Sequence, residues 1–146
     1  MSEALCEAAK AFDKGEVPIG AVIVHGDEVI ARGHNRREEL QDPTAHAEIL
    51  AIRDAASRMA SWRLIDTTIY VTLEPCPMCA GAMVQARIDR LVYGTRDPKA
   101  GAAGSIVNLV QNEAFNHRMG VEEGIMREEC IEILQRFFAQ LRGKGK

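Results

Sequence analysis

The chain alternates between short apolar runs and amphipathic stretches, which polar or glycine-rich segments separate. Leu5, Ala8, Ala9 and Phe12 recur at helical spacing before Gly15, so a first helix is predicted over residues 2–14. The run IGAVIVHGDEVIARG holds two apolar segments around His-Gly-Asp, which predicts a β-hairpin. TTIYVTL is rich in β-branched residues and carries no charge, as expected for a strand at the centre of a sheet.

Two further helices are predicted to begin at residues that favour helix starts. Thr44 is expected to cap the helix AHAEILAIRDAASRMA, because Asp42-Pro43 breaks the chain just before it. Pro77 suits the first position of the next helix, which has Cys76 as its cap and runs to about Ala86.

The last third of the chain is less regular. RLVYG predicts a strand, and NLVQNEAFNHRMGVE predicts an irregular stretch with one short strand near residues 119–122. A final helix is expected over about residues 125–141, and four apolar residues mark its inner face: Ile131, Leu134, Phe138 and Leu141.

This order of elements predicts an α/β fold with three layers, a mixed sheet between two layers of helices. The strand–helix–strand unit over residues 67–93 should be a right-handed parallel crossover. The 146 residues fit a single domain over residues 1–146, which is long enough to bury a proper core.

Composition and charge favour a globular protein of the cytoplasm. Hydrophobic residues make up 47% and charged residues 27%, and there is no apolar run long enough for a membrane span and no signal-peptide core. The net charge of −3 argues against a protein that coats nucleic acid. Two segments are locally basic, residues 84–118 with five cations against three acids, and the C-terminal run Arg136, Arg142, Lys144 and Lys146.

The candidate chemistry lies at the two predicted helix starts. Cys76 and Cys79 are three residues apart on one helix face, so their sulfurs point the same way and form half of a tetrahedral zinc site. His46 can supply a third ligand, which leaves one position open for water, as in catalytic zinc sites. Glu48 leaves its helix in a different direction from His46, so it can stand beside that water and carry its proton. Cys6 and Cys130 are expected to be buried apolar residues.

Other interpretations of these residues stay open. The Cys-x-x-Cys pair alone also fits a thioredoxin-like redox motif. A closed structural zinc site would need a fourth ligand, for which four side chains are nominally available: His25, His34, His117 and Cys130. The conjunction of H-x-E with P-C-x-x-C, each at a helix start, is the signature of zinc nucleobase deaminases.

Over about residues 4–141 the chain resembles a known family. DPTAHAEILAI, YVTLEPCPMCAGAM, VYGTRDPKAGAAGS and NHRMGVEEGI are similar to stretches of the bacterial tRNA adenosine deaminases, the TadA family of the cytidine-deaminase superfamily. The resemblance implies a cytidine-deaminase fold with a five-stranded mixed sheet flanked by helices, one zinc ion per subunit, and a homodimer. It also implies hydrolysis of adenosine to inosine at the anticodon wobble position of a tRNA, chiefly an arginine tRNA, bound through its anticodon stem-loop.

The resemblance assigns roles to particular residues. It implies that His46, Cys76 and Cys79 are the zinc ligands and that Glu48 is the proton shuttle. It places a further set of residues at the nucleoside and the anticodon loop: Asn35, Ala47, Asp97, Lys99, Asn116, Arg118 and Phe138. Of the neighbouring Phe137 and Phe138, at most one should face RNA. The C-terminal tail is shorter than in the longer relatives, so the sequence departs from the family there.

Three competing functions remain. A deaminase of a free base or nucleoside, such as guanine or cytosine, would share the metal site and differ only in the loops that face the substrate. A zinc-stabilised RNA-binding module would keep the zinc and deaminate nothing. A thiol oxidoreductase would carry no zinc and would cycle Cys76 and Cys79 between thiol and disulfide.

Overall fold

A computed structural model of the protein describes residues 1–144, with side chains through Gly143. It contains ten helices and strands in the described residues, in the order α1 Ser2–Asp13, β1 Gly20–His25, β2 Glu28–His34, α2 Arg37–Leu40, α3 Ala47–Met59, β3 Thr67–Leu73, α4 Pro77–Gln85, β4 Arg90–Thr95, β5 Gly120–Glu123 and α5 Arg127–Lys144.

The strands form one five-stranded mixed sheet in the order β2-β1-β3-β4-β5. The β1–β2 and β1–β3 pairs are antiparallel, whereas the β3–β4 and β4–β5 pairs are parallel. The apolar strand β3 is central, as its composition predicts, and α4 connects it to its parallel neighbour β4.

Helices cover both faces of this sheet, as the alternation of side chains along β1 shows. Gly20 lies against the α1 backbone at Ala4 and Ala8, and a Cβ there would overlap it. Ala21 follows Gly20 on β1 and pairs with Gly33 of β2. Gly33 lies against the α3 backbone. Because successive strand residues point to opposite faces, α1 and α3 lie on opposite sides. Helix α5 packs with α1, and α4 packs with α3, so the predicted three-layer fold is confirmed.

The main core lies between the sheet and the layer that holds α3 and α4. Its largest fully buried side chains include Ile69 of β3, Met83 of α4, Leu91 of β4 and Leu64 before β3. The small residues Ala51 and Ala55 of α3 are fully buried, which lets this helix approach the sheet closely. This packing fixes the N-termini of α3 and α4 beside each other.

Several helix predictions need correction. Thr44 does not cap α3: its N–H and hydroxyl both donate to the Asp42 carboxylate, in an Asx turn, and the cap is His46. Helix α2 lies between β2 and α3, where the hydrophobic pattern predicts no helix. It depends on a distant residue, because the Glu16 carboxylate accepts the N–H groups of Glu38 and Glu39.

The predicted inner faces are also partly wrong. On α5 the buried residues are Cys130 and Phe137, whereas Phe138 and Leu141 are 41% and 55% exposed. Cys6 is exposed rather than buried, because α1 turns Ala4, Glu7, Ala8 and Ala11 to the interior. The expected burial of Cys130 is confirmed.

Of the C-terminal basic run, Arg136 and Arg142 lie on α5 and are exposed. Lys146 and the side chain of Lys144 are outside the described residues. Within residues 1–144, no helix combines the length and the apolar composition that a membrane crossing requires.

Candidate metal centre and active site

Three potential metal ligands converge where α3 and α4 begin. His46 is the N-cap of α3, Cys76 is the N-cap of α4, and Cys79 lies in the first turn of α4. Their ligand atoms all lie within 4.8 Å of one another. The Nδ1 atom of His46 is 3.6 Å from the Cys76 sulfur and 3.5 Å from the Cys79 sulfur.

This spacing fits a tetrahedral zinc ion. Zinc binds sulfur at about 2.3 Å and imidazole nitrogen at about 2.0–2.1 Å, so a tetrahedral angle puts those atoms about 3.6 Å apart. Within residues 1–144 the cluster has three members, and His25, His34, His117 and Cys130 are not among them. The donor set therefore has the composition of a catalytic zinc site, with one position left for another ligand.

The two thiols affect each other strongly. Hydrogen bonding from Cys79, with a further contribution from His46, lowers the pKa of Cys76 to about 4. The same pairing raises the pKa of Cys79, and hydrogen bonding to Cys76 raises the pKa of His46. A bound dication would stabilise both sulfurs as thiolates, because metal binding displaces the thiol proton.

Glu48 is the second residue of α3 and is 4% exposed. Its carboxyl lies beside the Cys79 thiol and the His46 imidazole. Burial raises the pKa of Glu48 to about 7. A carboxyl in this environment can both take and give a proton near neutral pH.

Asn35 precedes and Ala47 follows the segment 36–46, which ends at the metal ligand His46. Asn35 follows β2 and is 6% exposed; its Nδ2 donates to the Val17 carbonyl at 3.2 Å, and its Oδ1 accepts from Arg37 N–H at 3.1 Å. Ala47 is the first residue of α3, a helix whose N-terminus has no side-chain cap. The Ala47 carbonyl packs against Gly33. The Asn35 side chain is therefore held in one orientation.

Three of the predicted RNA-contacting residues line one groove of about 780 Å³. Asp97 and Lys99 come from the loop after β4, and Phe138 comes from α5. The groove walls also include Val17, whose carbonyl holds Asn35, and Leu73 at the end of β3. None of the clustered metal ligands lines the groove, so it lies beside the candidate active site rather than within it.

The groove residues that were predicted to contact RNA differ in their hydrogen bonding and in their exposure to solvent. The Asp97 carboxylate accepts the N–H groups of Lys99 at 3.0 Å and Ala100 at 3.2 Å, so it closes its own turn. Phe138 is 41% exposed whereas Phe137 is 8% exposed, so only the Phe138 ring faces outward.

The structure does not bring Asn116 and Arg118 to this groove. Asn116 lines a separate cleft of about 220 Å³, together with Gly81 and other residues of α4 and with Phe115 from the segment between β4 and β5. The Arg118 guanidinium donates to the carbonyls of Glu113 and Phe115. The two residues therefore form a second surface within one chain.

One buried carboxylate next to the metal-ligand motif, that of Glu74, is not predicted from the sequence. This residue joins β3 to the metal-ligand motif and is 2% exposed. Burial raises the pKa of Glu74, but the hydrogen bonds from Ser105 and three backbone N–H groups lower it by more. The pKa of Glu74 is therefore below its usual value. The available signal was an acid between a buried strand and the Pro-Cys of the motif, where an apolar residue would be expected.

Comparison with known proteins agrees with this geometry. The profile of the MafB19-like deaminases matches residues 1–142. A tRNA-specific adenosine deaminase of Bacillus subtilis (strain 168) is 53% identical over 146 residues, which cover 100% of this chain and 91% of that relative.

Solved structures give the same result. A chain from biochemical and structural studies of A-to-I editing by tRNA:A34 deaminases at the wobble position of transfer RNA is 49% identical, with a TM-score of 0.88. That match covers 92% of this chain and 97% of the other. A guanine deaminase from Bacillus subtilis is 39% identical, with a TM-score of 0.62 over 65% of this chain and 61% of its own. The chain described here therefore belongs to the tRNA-specific adenosine deaminase family, within the MafB19-like deaminases.

Proposed function

We propose that this protein is a zinc-dependent hydrolase that deaminates adenosine to inosine at the anticodon wobble position of tRNA, chiefly an arginine tRNA. The observation that carries the proposal is the convergence of His46, Cys76 and Cys79 with the buried carboxyl of Glu48 beside them. The family to which the chain belongs supports adenosine as the substrate.

The three ligands would hold one zinc ion per subunit, which supplies Lewis acidity and makes a bound water more acidic. Glu48 accepts a proton from the attacking water and delivers it to N1 of adenine. Glu48 then helps to protonate the departing amine, so that adenosine and water give inosine and ammonia. Burial among the α3 and α4 N-termini keeps this carboxyl away from bulk water, so that the proton it carries passes to the substrate.

Binding uses the residues around this centre. Asn35 holds the target nucleoside, and the backbone at Ala47 lies near the base. The anticodon-loop nucleotides next to the target occupy the adjoining groove, where Lys99 meets phosphate and the exposed Phe138 ring meets a base. Recognition of one loop needs few phosphate contacts, so a net charge of −3 is compatible with this binding.

A homodimer belongs to this proposal, and the reaction takes place in the cytoplasm. Asn116 and Arg118 are separated from the groove in one chain, so a second copy would have to bring them to the same anticodon stem-loop. One chain has a mass of 16.1 kDa, and light scattering of the purified protein should give twice this value. A monomer that deaminates tRNA at full rate would remove this part of the proposal.

A second candidate is deamination of a free base, which the similarity to a guanine deaminase favours. The two candidates share the metal site, so the substrate decides between them. The purified protein is incubated with an arginine-tRNA anticodon stem-loop and, separately, with adenosine, guanine, cytosine and cytidine. Inosine in the stem-loop is the expected product, and turnover of a free base without inosine in the RNA would overturn the proposal.

A further inference from the structure

The Glu74 carboxylate is the centre of a closed set of hydrogen bonds. Its Oε1 accepts the N–H of Asp97 at 3.0 Å and the hydroxyl of Ser105 at 2.5 Å. Its Oε2 accepts the N–H groups of Ala103 at 2.9 Å and Ser105 at 3.1 Å. The loop from residue 97 to residue 105 is therefore wrapped around a single buried side chain.

The shape of the loop fits this carboxylate closely. A Cβ at Gly101 would overlap both carboxylate oxygens and Cδ of Glu74, so only glycine fits at this position. The same loop is tied to the metal-ligand segment through Ala102 N–H, which donates to the Pro75 carbonyl at 2.8 Å. Glu74 and Pro75 directly precede Cys76, so the loop and the ligand segment are joined at adjacent residues.

The chemistry requires a carboxylate rather than another polar group. Three of its four partners are backbone N–H groups, which can only donate, and the Ser105 hydroxyl alone could reverse its role. In either orientation, a glutamine amide at this position would direct its NH₂ at one or more of these N–H groups. Aspartate is shorter by one methylene and would not reach the loop.

We propose that Glu74 is a positioning residue that fixes the RNA-contacting loop relative to the metal centre. The loop carries Asp97 and Lys99, which line the groove beside the site, whereas the proposed reaction takes place at the cluster of His46, Cys76 and Cys79. This inference rests on the proposed function, because it assigns the loop to the substrate RNA. Loss of the Glu74 carboxylate should therefore weaken RNA binding while the chemical step continues.

The test compares Glu74→Gln with Glu28→Gln, a matched change at an exposed glutamate that is the first residue of β2. For Glu74→Gln, KM for the anticodon stem-loop should rise about tenfold while kcat stays within about threefold of wild type. Zinc content should be unchanged, and the N–H groups of Asp97, Ala103 and Ser105 should exchange faster with solvent in NMR experiments. Glu28→Gln should match wild type in every measurement.

Two results would overturn the inference. One is a folded Glu74→Gln variant with wild-type KM and wild-type exchange at the loop. The other is loss of zinc together with a fall in kcat at unchanged KM, which would make Glu74 a support of the metal site alone.

A second variant covers the case in which Glu74→Gln does not fold. Ser105→Ala removes the hydroxyl bond and leaves the carboxylate, so KM should rise about threefold and loop exchange should increase. Wild-type values for both would contradict the inference. Failure of the proposed function would look different: the wild-type protein would leave the stem-loop adenosine intact, whereas the exchange measurements would still decide the role of Glu74.

Discussion

Replacing Glu48 by glutamine removes the proposed proton carrier and changes the volume of the side chain little. General acid–base catalysis by one side chain typically contributes about 10²–10⁴-fold to the rate. The structure favours the upper part of this range, because Glu48 is buried and the other buried glutamates of residues 1–144 have partners away from the metal ligands. The other buried glutamates bind elsewhere: Glu7 to Lys10 and His34, Glu16 to α2, and Glu74 to the 97–105 loop.

We therefore expect kcat for the stem-loop to fall about 10³–10⁴-fold, a barrier increase of about 4–5.5 kcal/mol. Zinc content and the Kd for the stem-loop should stay close to wild type, because Glu48 is neither a ligand nor part of the groove. Single-turnover inosine formation measures the first quantity, metal analysis the second, and fluorescence anisotropy the third.

A Glu48→Gln variant that keeps more than about one tenth of the wild-type rate would refute this reasoning. Loss of zinc in this variant would also refute it, because Glu48 would then belong to the ligand set. A wild-type protein that holds zinc and binds tRNA but never deaminates would favour the RNA-binding module instead.

Further predictions concern the metal, the packing and the acid stability of the protein. His46→Ala leaves two ligands, so zinc measured by plasma mass spectrometry should fall from about one per chain to below about one tenth; full zinc content would contradict the site. Gly33→Ala should lower the free energy of unfolding by about 1–3 kcal/mol, because a Cβ there overlaps the α3 backbone. Gly81→Ala, where a Cβ meets no atom within 4 Å, is the matched control and should raise the free energy of unfolding by about 1 kcal/mol, and urea titrations that show equal effects would refute the packing argument. The Arg96 guanidinium holds the pKa of Glu123 at about 2, so this carboxylate contributes stability above about pH 4.5 that is lost as the pH falls toward 2. Glu123→Gln should therefore flatten the fall in unfolding free energy between about pH 5 and pH 3, and an unchanged slope would show that the pair does not affect stability.

The sequence predicts the helices and strands that depend mainly on their own residues. The β-branched run of β3 identifies the central strand, because a strand that is covered on both faces is rich in β-branched and apolar residues and carries no charge. Pro77 correctly marks the first position of α4, since proline has no N–H to lose there. The helix start that carries Cys76 could therefore be placed from sequence.

Features that depend on distant partners could not be predicted. Helix α2 is supported by Glu16, which lies outside the segment that forms the helix. The start of α3 was misplaced because Asp42 captures Thr44 in a local turn, and capping preference does not distinguish these two uses of a hydroxyl.

The buried faces of α1 and α5 were misplaced for a related reason. Apolar periodicity does not anticipate that α1 would bury Glu7, which His34 of β2 and Lys10 contact. On α5 the apolar residues Phe138 and Leu141 line a groove rather than the core, so their hydrophobicity marks a surface. Hydrophobic spacing alone cannot separate a core face from an apolar groove.

X-ray absorption at the zinc edge tests the central claim most directly, because it reports the ligands of the metal in the purified protein. The structure predicts two sulfur ligands at about 2.3 Å and two lighter ligands at about 2.0–2.1 Å, of which one is an imidazole and one is an exchangeable oxygen. A centre with a third sulfur or a second imidazole, or a protein that binds no zinc, would contradict the account.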